Sequence, residues 1–236
     1  MIKEIIKKII PESFLTKLVP FKKQLKNFQS LNTDYGQWAS IKQWASIDGQ
    51  GKPTPWYTYP ATEYLSHLDL SKFKVFEYGS GNSTLWWAPR ANQVTSVEDD
   101  KAWYDKIKNR LASECKNVSY IFESDEEKYA CMATAEFDIF IVDGKHRKQC
   151  AERCSNFANS LLIVLDNADW HLKTVELIQD RLGWVQVDFH GFGPINNYTW
   201  TTSIFINPAR SKELRYTKPL GSKCGLVQFA EGERPT

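Results

Sequence analysis

Within Lys74-Val-Phe-Glu-Tyr-Gly-Ser-Gly-Asn-Ser-Thr84, an acid and two glycines stand close enough to hold a ligand through main chain. The run predicts a short strand with Glu77 at its end, a turn at Gly79-Ser80-Gly81, and a helix starting near Ser83. Neither glycine carries a Cβ, so the turn can be tight and a ligand can approach the backbone. The helix start adds unsatisfied N–H groups and a positive dipole end. Gln93 to Glu98 predicts the next strand, whose terminal acid lies at roughly the ~20-residue distance where a carboxylate takes ribose hydroxyls. Glu77, Gly79, Ser80, Gly81, Ser83 and Glu98 thus describe a cradle for a nucleotide-type cofactor. A dinucleotide fingerprint needs a third glycine where Thr84 stands, which argues against an NAD-linked oxidoreductase.

Glu77-Tyr-Gly79-Ser-Gly81-Asn-Ser83 followed by Glu98 resembles the first two motifs of class I S-adenosylmethionine-dependent methyltransferases, in particular a bacterial subgroup reading Glu-Tyr-Gly-Ser-Gly-x-Ser-Thr. Phe137 to Gly144 is similar to the fourth-strand motif, and Leu161 to Asn167 to the fifth. The resemblance covers residues 53–207, with Ser83 replacing the third glycine of the commoner pattern. It implies S-adenosylmethionine as cofactor, held by Glu77, the Gly79 to Ser83 turn, Glu98 and Asp143, and a parallel sheet closed by an antiparallel hairpin.

Methyl transfer to a hydroxyl needs an aligned acceptor and a base. Asp143 ends the fourth strand, and Gly144-Lys145-His146-Arg147 follows in the loop expected to line the acceptor pocket. His146 is the candidate base because an imidazole titrates near neutrality, with Lys145 in reserve. Arg147 is expected either to clamp an acceptor carboxylate or phosphate or to be the first-turn charge of the next helix. Asp166 and Asn167, with Asp143, resemble the ligand set of cation-dependent catechol and caffeoyl-CoA O-methyltransferases, so Mg²⁺ is an alternative to a capped strand-exit turn, the favoured reading. Tyr59, His190 and Tyr198 are candidate acceptor contacts, and Trp56, Tyr57 and Tyr59 together a candidate lid.

These residues need a frame. Strand and helix patterns alternate from residue 61 to 182, then two strands, 184–190 and 201–207, follow with no helix between them. The expected fold is α/β: a Rossmann-like seven-stranded, mostly parallel sheet with a C-terminal antiparallel hairpin and helices on both faces. The expected division is a basic amphipathic leader and linker at 1–52, a catalytic domain at 53–207, and an extension at 208–236 packed on it or partly disordered. Asp48-Gly-Gln-Gly-Lys-Pro-Thr-Pro55 marks the boundary.

The chain of 236 residues has 42% hydrophobic residues and a net charge of +2, which gives no reason to expect a nucleic-acid partner. The first 30 residues hold seven lysines and two glutamates, a balance of +5, leaving 23 basic against 26 acidic residues elsewhere. Ile2, Ile5, Ile6, Ile9 and Ile10 share a helical face that Pro11 stops, and Phe14, Leu15, Leu18 and Val19 suggest a second turn ending before Pro20. This leader is expected to pack on its own domain or a second subunit, giving a homo-oligomer. The alternative is peripheral contact with an anionic membrane through residues 1–30. Five scattered cysteines read as reduced thiols, and no run reaches the length of a membrane span, so a cytoplasmic protein is expected. The function that follows is O-methylation of a small molecule or glycan. The alternative is a non-catalytic methyltransferase-like binding module.

Overall fold

The computed structural model describes residues 12–217 and 221–225, with side chains from residue 18 onward. The isoleucine face at Ile2 to Ile10 and its stop at Pro11 lie outside the described residues, as does most of the extension beyond 217. Seven strands form one sheet: β1 (Lys74–Tyr78), β2 (Gln93–Glu98), β3 (Val118–Phe122), β4 (Ile139–Val142), β5 (Leu162–Leu165), β6 (Val185–Gly191) and β7 (Trp200–Ile206), in the order β3-β2-β1-β4-β5-β7-β6. The first five are parallel, and β7 runs antiparallel to both β5 and β6.

β4 and β5 are the uninterrupted apolar runs Ile-Phe-Ile-Val and Leu-Ile-Val-Leu, buried at every position, as strands covered on both faces must be. Alternation sends Val75, Ile139, Ile141, Leu162, Val164 and Ile204 into one core, and Phe76, Phe140, Val142, Ile163, Leu165 and Phe205 into the other. The first core is closed by α3 (Tyr59–Ser66) and α4 (Asn82–Trp87), which contribute Ala61, Leu65, Trp86 and Trp87. The second is closed by α6 (Glu126–Cys131), α7 (Arg147–Cys154) and α8 (Leu172–Leu182), through Tyr129, Cys150, Cys154 and Ile178. The remaining helix of the domain, α5 (Lys101–Glu114), is capped by Asp100 and buries Ile107 and Leu111 beside β3.

Ahead of the domain, α1 (Glu12–Gln29) runs through Pro20, against the expected stop. A proline inside a helix removes one hydrogen bond, and at this exposed position water can satisfy the freed carbonyl. α2 (Gln37–Gln43) holds the first copy of a Gln-Trp-Ala-Ser-Ile repeat, while the second copy begins at the end of that helix, turns at the left-handed Trp44 and ends in a single bridge from Ile47 to Pro53. The two copies lock together: Ser40 Oγ donates to Ile47 O at 2.8 Å and accepts from Ile47 N at 3.1 Å. No helix of the described residues is long and apolar enough to cross a membrane.

Candidate functional site

The chain leaves β1 and β4, adjacent in the sheet, to helices in opposite directions along it, and such a switch point opens a crevice at the carboxyl ends of the strands. Gly79 and Gly81 lie there with φ of +98° and +142°, conformations closed to L side chains. The room they leave is used by protein. A Cβ on Gly79 would stand 3.1 Å from Gly144 N, and one on Gly81 would meet the Trp103 indole at 3.4 Å. Gly79 therefore lets the β4 exit approach the turn, and the Trp103 indole stands at ordinary contact distance from Gly81, where the spacing alone suggested room for a ligand. Trp103 Nε1 also donates to Ser80 O at 3.0 Å.

Glu77 is 1% exposed and lies beneath the turn instead of facing the crevice. Thr84 Oγ1 donates to its Oε2 at 2.5 Å and accepts from Gly81 N at 3.1 Å, so the threonine in the place of a third glycine ties strand, turn and helix together. Glu77 Oε1 is buried with no partner. Burial raises this carboxyl to about 7, against the hydrogen bond from Thr84, which favours the ionised form.

Glu98, at the exit of β2, is buried and reaches the same turn: Ser80 Oγ donates to its Oε2 at 2.6 Å, and Oε1 accepts from Asp99 N at 3.1 Å and Asp100 N at 3.0 Å. Tyr120 OH lies 2.8 Å from Ser80 Oγ. Desolvation raises the Glu98 carboxyl, and its hydrogen bonds oppose the rise.

At the exit of β4, Arg147 turns inward. Its Nε donates to Gly144 O at 3.1 Å, Nη2 to Asp143 O at 3.0 Å and Oδ1 at 3.1 Å, and Nη1 to Asn167 Oδ1 at 2.8 Å and to Asp166 O. It binds the β4 and β5 exits to each other and is not the free acceptor clamp. Asp166 Oδ1 is taken by Thr202 Oγ1 at 2.6 Å and Trp200 Nε1 at 3.0 Å. One oxygen of each side chain considered for Mg²⁺ is thus engaged by a guanidinium or by an indole and a hydroxyl, and the Arg147 cation stands among the three, so Asp143, Asp166 and Asn167 do not fit a resident metal. Burial pushes Asp143 well up and Asp166 to about 6. The Asp166 charge also raises Asp143, and Arg147 lowers both.

His146 begins α7 in the left-handed region at φ 55° and leans away from β5: Nδ1 is 3.1 Å from Glu126 Oε1 and Nε2 3.9 Å from Asp99 Oδ2. Lys145 pairs with the same Asp99 at 3.2 Å. The other side of the crevice holds the hairpin residues, where His190 Nδ1 lies 2.7 Å from Thr201 Oγ1 and Tyr198 packs on the edges of Trp170 and Trp200. The structure brings Ser80, Glu98, Asp143 and Arg147 to one rim, and separates His146 from His190 and Tyr198 by their partners. Tyr59 lies elsewhere: it stacks on Tyr35 at 4.5 Å and lines a cavity of about 480 Å³ with Glu63, His67 and Arg90. Tyr57, expected in a lid, is wholly buried in the core against Trp87. A larger cleft of about 810 Å³ lies between α6, α7 and α8, lined by Glu126, Cys131, Arg153 and Arg181 among others, away from the glycine turn. Sequence reasoning missed Trp103 and Tyr120. Their only signal was position, the first turn of the helix after Glu98 and the middle of β3.

Strand order, closing hairpin and glycine turn define a Rossmann-like fold of the methyltransferase type. The chain matches no family model and no curated protein. Among solved structures it is similar to a methyltransferase-like protein from Silicibacter pomeroyi (19% identity over 69% of this chain and 95% of that one, TM-score 0.43). It is also similar to M. jannaschii TYW2 in complex with AdoMet (10%, 68% and 79%, TM-score 0.46). A third is the precorrin 8w decarboxylase of Methanobacterium thermoautotrophicum (14%, 68% and 96%, TM-score 0.48).

Proposed function

We propose that this chain is an S-adenosylmethionine-dependent methyltransferase acting on an oxygen of a small molecule or glycan. The observation that carries the reading is the meeting of three strand exits at one turn. Gly79 is packed on Asp143-Gly144, and Glu98 is hydrogen-bonded to Ser80. In this reading Glu98 accepts from ribose hydroxyls beside Ser80 and Tyr120, the Gly79 to Ser83 main chain lies against the amino-acid portion, and Asp143 bounds the crevice. The unpartnered Oε1 of Glu77 adds a buried negative end that suits a cationic ligand above it. The cofactor supplies an electrophilic methyl group. The chain's own work is to orient it, exclude water and take the acceptor proton. His146 is the candidate base, its ring set between Glu126 and Asp99, and His190 and Tyr198 stand at the acceptor side.

Calorimetry with S-adenosylmethionine and S-adenosylhomocysteine tests the cofactor, with binding expected in the native chain and lost in Glu98→Ala. Transfer of a labelled methyl group into fractionated small molecules and glycans tests the acceptor, and His146→Ala should lower turnover while leaving cofactor affinity in place. A second reading, a non-catalytic module, is favoured by two features: the Trp103 indole against Gly81 and the three hydrogen bonds that Glu98 already accepts. Absence of heat at saturating cofactor selects it.

A further inference from the structure

The described part of the leader carries its apolar residues on the outside. On α1, Phe21, Leu25 and Phe28 recur at i, i+4 and i+7, the spacing of a single helical stripe, yet Phe21 and Phe28 are each 59% exposed. Lys22 borders that stripe, Lys26 and Lys23 lie farther round the same helix, and Asp34 is the one acid between residues 19 and 44. The next helix repeats the pattern: Trp38 and Ile41 on α2 are exposed, as is its cap residue Trp44 at 73%, which meets the exposed Trp56 edge-on at 6.2 Å. An α1 stripe of this kind would ordinarily face a core. Here it faces outward among lysines, an arrangement of aromatic and cationic side chains suited to the boundary between lipid headgroups and acyl chains.

We propose that α1 and α2 form a docking surface for an anionic phospholipid bilayer, with Phe21, Leu25, Phe28, Trp38 and Trp44 entering the headgroup boundary and Lys22, Lys23 and Lys26 pairing with lipid phosphates. Charge complementarity selects this occupant, since a second copy would bring the same lysines against their equals. The surface is fastened to the candidate site. Gln37 Nε2 donates to Gly193 O at 3.1 Å and Asn196 O at 3.0 Å in the hairpin loop, and Asn82 Nδ2, at the start of α4, donates to Ser46 O at 2.7 Å. Docking would therefore hold the hairpin loop near the membrane.

The test is co-sedimentation of the full chain with vesicles of phosphatidylcholine, with and without phosphatidylglycerol. Binding is expected to require phosphatidylglycerol and to weaken with salt. Replacing Lys22, Lys23 and Lys26 by glutamine should lower the partition coefficient on the order of a hundredfold, about fivefold for each lysine near the surface. Phe21→Ser with Phe28→Ser and Trp44→Ser should abolish binding while circular dichroism and cofactor calorimetry stay those of the native chain, which separates this proposal from the methyltransferase reading. No binding to phosphatidylglycerol vesicles at low salt overturns it, as does undiminished binding of the aromatic variant. So does a self-associated form in sedimentation equilibrium that the aromatic variant dissociates and that ignores vesicles.

Discussion

Arg147 and Asp143, four residues apart at the exit of β4, meet twice: Nη2 donates to the aspartate's main-chain oxygen at 3.0 Å and to its Oδ1 at 3.1 Å. The same guanidinium reaches Asn167 and the main chain of Asp166, so a single internal cation holds two strand exits. It also compensates two carboxyls that burial and mutual repulsion push towards neutrality. Removing one partner of such a group leaves the rest buried and uncompensated. Arg147→Ala is expected to lower unfolding stability by about 3 kcal/mol. Arg147→Lys, which keeps the charge but not the planar fork, should lose less. Urea denaturation of the three proteins decides it, and equal midpoints would refute the linking role.

The same geometry makes a statement about metal. With Arg147 in place its charge stands against one oxygen of Asp143 and the amide oxygen of Asn167, so Mg²⁺ should leave the melting temperature of the native chain where it is. In Arg147→Ala those oxygens are released, and Mg²⁺ should raise the melting temperature of the variant by preferential binding to the folded state. Thermal scans with Mg²⁺ and with chelator read both. An equal rise in the two proteins would mean that the oxygen set accepts a cation despite the arginine.

The sheet was legible because its signals are local: apolar runs at β4 and β5, glycines between strand and helix, and ten residues without a helical pattern between the last two strands. The strand order follows from that alternation. Side-chain commitments were not legible. Arg147 reads equally as a clamp or a first-turn charge until the β5 exit is seen beside it, and Tyr59 reads as a lid until it is found stacked on Tyr35, which precedes the domain. The spacing around the glycines reads as room for a ligand, yet the neighbours that stand there, Gly144 and Trp103, are distant in sequence or on the next helix. The short helix α6 went unseen because six residues cannot display a period, although Asp125 caps it through Lys128 N at 2.9 Å.

Gly193 offers a test of the hairpin's hold on the rim. A Cβ there would stand 2.5 Å from Tyr57 O and would strike the Trp200 indole, whose Nε1 donates to Asp166. Tyr57 is fully buried and the close atom is main chain, so the clash cannot be relieved by a rotamer. Gly193→Ala should cost about 1–3 kcal/mol of stability as an overpacked core and shift the tryptophan fluorescence as Trp200 moves. Gly183→Ala is the control, because no atom lies within 4 Å of its Cβ position. There only the strain of φ +58° is added, and the fluorescence should stay unchanged.

Glu77 sets a pH dependence of stability whose direction follows from burial. Its carboxyl titrates at about 7 in the folded chain against 4.5 for an unperturbed glutamate, because the site penalises the charged form. The folded state therefore holds this proton more tightly than the unfolded chain. The resulting stabilisation is complete below about pH 4.5 and is lost as pH rises through about 7. A shift of this size corresponds to on the order of 3 kcal/mol, and Asp166, raised to about 6, adds a loss of the same sign over the lower part of the window. Glu77→Gln has no proton to lose, so its urea midpoint should fall less than that of the native chain between acid and neutral pH. The cationic cofactor of the proposed reaction favours the ionised carboxyl, so its affinity should rise over the same range, and that of the uncharged S-adenosylhomocysteine sulfur centre should rise less. Calorimetry of both ligands across the window checks this: parallel pH profiles would mean that the buried negative end does not sense the sulfonium.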